Sequence, residues 1–143
     1  MSTTTRRHRT ISAARSDLMV RMYAGTLGVV LVALAVAGFV VADRKLFGAF
    51  PIGDAVVHLA IGGLLFASAW RPQALGGSRV VVGWVGASSI GVALLGFLSN
   101  DMFGVLPSDQ DWNVAHNASH LVIGLESLLI VAASRGPRRR SYA

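Results

Sequence analysis

The sequence predicts an all-α membrane protein, a four-transmembrane-helix bundle. Three observations carry that expectation. The composition is 53% hydrophobic and only 14% charged, against about 25% charged in soluble domains. The apolar residues gather into four runs, each long enough to cross a bilayer. The cations fall at the chain ends and in the breaks between runs, biased to one side. A soluble fold of 143 residues with so few charges would hold large apolar patches against water. A bilayer removes that penalty.

The elements follow in order. Residues 1–20 are a basic tail, with Arg6, Arg7, His8, Arg9 and Arg15 among many Ser and Thr. Such a segment cannot bury a core and is expected to be disordered or to lie on the membrane surface, with a short amphipathic helix conceivable over 11–20. The membrane domain covers 21–134. Its first helix, 23–42, is uncharged. A basic segment precedes it, as in a signal peptide, but its apolar stretch exceeds the usual h-region of about 7–15 residues, so the run reads as a retained span. The second helix, 52–70, carries Asp54 and His58 near its start. The third, 80–98, is uncharged. The fourth, 112–133, holds Asn113, His116, Asn117, His120 and Glu126. These lengths give roughly 28–33 Å of helix. Inside lipid the backbone must satisfy itself, which makes each run a helix. Gly or Pro marks every connection. Residues 135–143 form a second basic tail.

Orientation follows from Lys and Arg. The N-terminal segment carries Arg6, Arg7, Arg9, Arg15 and Arg21. The 71–79 loop carries Arg71 and Arg79, and the C-terminal tail carries Arg135, Arg138, Arg139 and Arg140. All three segments share one side of a four-span chain. The other side has only Arg44 and Lys45, and its second loop carries Asp101, Asp109 and Asp111. The positive-inside rule then puts both termini in the cytoplasm. The same distribution argues against nucleic acid as a partner despite the net charge of +6, because no folded basic face interleaved with aromatics can be drawn. It fits anionic lipid at the basic tails. The absence of cysteine excludes disulfides, thiolate metal sites and cysteine nucleophiles.

A short pattern recurs. His58-Leu59-Ala60-Ile61-Gly62 matches His120-Leu121-Val122-Ile123-Gly124, and Phe47-Gly48-Ala49-Phe50-Pro51 matches Phe103-Gly104-Val105-Leu106-Pro107. Each unit would be a helix pair. Two spans return the chain to its starting side, so the copies form a parallel repeat about the membrane normal. With a polar entry into the last helix, Trp112-Asn113-Val114-Ala115-His116-Asn117, the chain resembles a domain-of-unknown-function family of small four-helix membrane proteins common in actinobacteria. The resemblance spans about residues 20–134. It implies architecture and a bacterial membrane, and it brings no activity with it. His116 and Glu126 stand outside the shared pattern.

Intramembrane polar groups are the candidate site, since each costs a few kcal/mol without a partner. Asp54 and His58 share a helix face, as do His116 and His120, four residues apart. Asn113 and Asn117 extend the second set. If helices two and four are adjacent, these residues form one polar core in the outer half of the bundle. Its plainest role is a network locking the repeats together. Two sharper alternatives use the same residues: a b-type haem between His58 and His120, or a divalent metal held by His58, His116, His120 and Asp54. Glu126, on a different face near mid-membrane, suggests proton or solute movement, or a protonated carboxyl bonded to Ser88 or Ser89. Gly83, Ala87 and Gly91 form a small-residue stripe expected to serve packing inside the bundle. Trp70, Trp84 and Trp112 fit interfacial anchors. No GxSxG, P-loop, HExxH or dinucleotide fingerprint is present. The expectation is therefore a non-catalytic inner-membrane protein of accessory or structural role, acting through lipid, a larger membrane complex or a homo-oligomer.

Overall fold

In a computed structural model of the chain, residues 3–40, 52–71, 73, 76–98 and 114–135 are described, with side chains from residue 14 onward and Ile52 excepted. They form four helices and, among the described residues, no strand: α1 (Thr3–Val40), α2 (Ile52–Trp70), α3 (Ser78–Leu98) and α4 (Val114–Ala133). All four are long and apolar enough to cross a membrane. Asn113 and Trp112, and both FGxxP segments, lie outside the described residues.

The first helix corrects one expectation. It begins at Thr3 and runs for 38 residues, through the helix thought possible over 11–20 and most of the rest of a segment expected to be disordered or to lie on the membrane surface. No Gly or Pro interrupts residues 3–24. Once the apolar span is helical, extending it backwards costs little, because nucleation has already occurred.

Unlike a soluble bundle, this one is apolar on its outer surface as well as in its core of Val20, Leu31, Leu65 and Val82. Val29, Leu34, Phe39, Leu64, Phe66, Leu94, Phe97 and Leu129 point outwards. Ala24, Ala35, Ala55, Ser68, Ala93, Asn117 and Ser127 point inwards. Without a hydrophobic drive between helices in lipid, close approach of small residues does the packing.

That approach occurs at two glycine crossings. A Cβ on Gly28 would stand 2.8 Å from the carbonyl oxygen of Gly62, and one on Gly62 would stand 2.8 Å from that of Gly28. These residues join α1 to α2. In the second half, a Cβ on Gly86 would stand 3.1 Å from the Gly124 carbonyl oxygen, and one on Gly124 2.9 Å from that of Gly86. These join α3 to α4. Gly62 and Gly124 are the glycines that end the two HLxIG copies. The repeat is thus expressed as two hairpins, each tightened at the same motif position.

The stripe expected to pack the interior does not. Nothing lies within 4 Å of a Cβ on Gly83 or Gly91, and Ala87 is exposed. The contact face of α3 is one step round the helix, through Val82, Val85, Gly86, Ala93 and Gly96. The helix carries a second set of small residues that the sequence reading did not name, and the set facing α4 is the one that includes Gly86.

The two hairpins meet more loosely. α1 approaches α3 and α4, and α2 approaches α3, while α2 and α4 have no close backbone approach among the described residues. They occupy the long diagonal of the bundle. The Tyr23 hydroxyl and the Ser127 hydroxyl lie 3.0 Å apart and tie α1 to α4. A short turn leads from α2 to α3 with Gly76 at φ 71° and Gly77 at φ 99°, a conformation that glycine adopts without a Cβ penalty. The Ser78 hydroxyl at the start of α3 donates to the Ser68 carbonyl, which closes this turn.

Candidate functional site

The polar residues assemble from two helices whose backbones do not approach closely. α2 enters the bundle with Asp54 on its first turn and His58 one turn deeper. His58 Nδ1 lies 2.7 Å from the Asp54 carbonyl oxygen. A carbonyl only accepts, so Nδ1 carries the proton and donates, and Nε2 is the basic nitrogen. α4 carries His116 and His120 one turn apart, with their Nε2 atoms 3.0 Å from each other. One of these nitrogens donates and the other accepts, so the two rings cannot both be fully protonated while this bond holds.

The rings continue across the bundle. His116 and His120 have centroids 4.7 Å apart, and His120 and His58 have centroids 6.2 Å apart at an interplanar angle of 45°. All three are half-buried. The result is a chain of three imidazoles from α4 to α2, filling a diagonal that the backbones leave open. The condition set on the cluster, that α2 and α4 be adjacent, is not met by their backbones, and the reach of the histidine side chains brings the motifs together.

The other predicted residues separate. Asn117 is 2% exposed but faces α3, where its amide occupies the place a Cβ on Gly96 would take. Its Oδ1 is buried without a hydrogen-bond partner among the described residues. Asp54 joins the cluster through its backbone carbonyl. Asn113 lies outside the described residues. Glu126 is exposed on the outer surface of α4. The Ser88 hydroxyl, one of its expected partners, instead donates to the Val85 carbonyl at 3.1 Å.

The ligand alternatives meet this geometry poorly. Among the described residues no group of three or more His, Asp or Glu is placed to hold a metal ion, so His58, His116, His120 and Asp54 do not converge as a ligand set. The Nε2 of His120 is turned to His116, whereas an axial haem ligand would turn it to the iron.

Sequence reasoning missed three features. The partner glycines Gly28 and Gly86 were not singled out, although each closes a Gly-x-x-Gly with Gly25 or Gly83. The Tyr23–Ser127 bond joins residues 104 positions apart, and no local pattern signals it. The Arg21 Nε donates to the Ala69 carbonyl at 2.8 Å, a bond concealed by counting Arg21 as a topology signal alone.

The fold and the site together define a class: an all-α membrane bundle of two helix hairpins with a histidine cluster across its diagonal. Comparison with protein-family models, with curated proteins and with solved structures finds no match to this chain.

Proposed function

We propose that the chain is a non-catalytic accessory or structural protein of the bacterial inner membrane, with both termini cytoplasmic, whose histidine cluster locks its two hairpins together. The observation that carries this reading is the three-ring chain. It joins α2 to α4, helices with no close backbone approach. Within each hairpin the glycine crossings supply the packing. Between hairpins such crossings are missing among the described residues; a buried apolar cluster drawn from all four helices, with Val20, Leu65, Val82 and Val131 in it, joins them, and polar side chains add to it. Contacts of this kind contribute about 0.6–2 kcal/mol each in a membrane. Membership of the four-helix family named above belongs to the same proposal and rests on the repeated HLxIG.

Glu126 supports the accessory part of the reading. A carboxyl on the outer face of a mid-span helix must be protonated or meet a partner. A larger membrane complex, or a second copy, would supply that partner. The same exposure favours a second reading, in which Glu126 carries protons or a small solute. The two are separated by flux into liposomes. pH-driven flux abolished by Glu126→Gln would establish the second, and its absence in the parent protein supports the first.

The lock itself is tested on protein purified in mild detergent. His58→Leu is expected to lower the melting temperature, while absorption spectrum and metal content stay those of the parent. A Soret band or stoichiometric metal, lost in His58→Leu and His120→Leu, would overturn the reading.

A further inference from the structure

The two hairpins are pseudo-equivalent, and one departure from equivalence leaves a single arginine nitrogen, the Arg79 Nε, without a partner among the described residues. Arg21 and Arg79 each stand seven residues before a crossing glycine, Gly28 and Gly86. Ala69 and Val131 each stand seven residues after its partner, Gly62 and Gly124. In the first hairpin the Arg21 Nε donates to the Ala69 carbonyl at 2.8 Å. In the second, the Val131 carbonyl accepts instead from the Ser134 hydroxyl at 2.7 Å. The position matching Ser134 in the first hairpin is Pro72, which has no donor. The Arg79 Nε is left buried with no hydrogen-bond partner among the described residues.

Arg79 opens a groove of about 530 Å³ between the start of α3 and the end of α4. Arg135 stands at the same mouth, and the lining residues include no carboxylate. Deeper in, the floor is Gly83 and Ala87, flanked by Trp84 and Leu128. This is the small-residue row that packs against nothing inside the bundle. From Arg79 to Ala87 the groove runs about 12 Å along the helix. Its order is two guanidiniums, then an exposed Trp84, then a smooth apolar trough. That is the order of a lipid from headgroup to acyl chain, with the indole at interfacial depth.

We propose that this groove binds one anionic phospholipid, its phosphate held by Arg79 and Arg135 and one acyl chain lying over Gly83 and Ala87. The charge complementarity is direct: guanidinium pairs phosphate in a fork that an ammonium cannot reproduce. The small floor admits a chain that larger side chains would displace. The inference needs the four-span fold and is independent of the role given to the histidines.

Native mass spectrometry of the full chain in mild detergent tests it, with phosphatidylglycerol or phosphatidylcholine of matched acyl chains as the probe. One phosphatidylglycerol is expected to be retained about tenfold more strongly than phosphatidylcholine, a difference of about 1.4 kcal/mol. Arg79→Gln and Gly83→Leu should each weaken its retention about tenfold. Arg15→Gln, exposed on α1, should not. Melting without added lipid identifies any variant that fails to fold, and open space above Gly83 leaves Gly83→Leu able to fold. Equal retention of the two lipids would overturn the proposal. So would unchanged retention in a normally melting variant, or an equal loss in Arg15→Gln.

Discussion

At the scale of single residues, four glycines and three histidines set the structure. The glycines act by lacking a Cβ where two backbones meet. Gly62→Val places a side chain against the carbonyl of Gly28, 2.8 Å from its first carbon. Overpacking of this kind costs roughly 1–3 kcal/mol, and Gly124→Val should match it. Gly83→Val faces open space and is expected to shift stability by no more than about 0.5 kcal/mol. Thermal melting in detergent checks all three, and equal losses at positions 62 and 83 would refute the crossing assignment. The histidines act through proton placement. The Asp54 carbonyl fixes the His58 tautomer, and His116 and His120 share a proton between Nε2 atoms. The motif HLxIG therefore contains both devices: its His reaches across the diagonal and its Gly lets its helix approach its neighbour. Both residues could be singled out from the repeat. Their separate directions could not, because a repeat gives equivalence without saying which face meets which helix.

At the scale of elements, helix existence was legible and helix neighbours were not. Length and apolarity located α2 at its observed bounds and the other three within a few residues at their membrane ends. The extension of α1 back to Thr3 was missed because polar composition was read as disorder, while helical propagation from a formed span was not considered. The stripe Gly83, Ala87 and Gly91 was read as internal since small-xxx-small spacing signals close approach. The same helix offers a second row through Gly86, and only the partner surface selects between them. Tyr23 to Ser127 is the element-level tie between α1 and α4. Tyr23→Phe leaves the fully buried Ser127 hydroxyl without this partner, and an expected loss of about 0.6–2 kcal/mol follows. Ser127→Ala in the Tyr23→Phe background should then cost little more. A full second loss would show that Ser127 has another role.

At the scale of the whole molecule, the bundle is two tight hairpins joined by a looser seam, an apolar cluster drawn from all four helices with polar contacts beside it. The proposed topology rests on the eleven cations on one side. Fusing a fluorescent reporter or alkaline phosphatase after Ala143 should give fluorescence and no phosphatase activity, the outcome for a cytoplasmic C-terminus. The reverse result would invert the bundle and move the histidine cluster to the inner half. In the proposed lock, His58 and His120 act together across the α2–α4 diagonal, alongside the Tyr23–Ser127 bond and the apolar cluster.

That joint action is read most directly by a double-mutant cycle on thermal melting, comparing the parent with His58→Leu, His120→Leu and the double variant in mild detergent. The two single losses are expected to be similar, and the double variant to melt no lower than the worse single one, since either substitution already removes the His58–His120 contact. Strictly additive losses, or no loss in either single variant, would contradict a histidine lock between the hairpins.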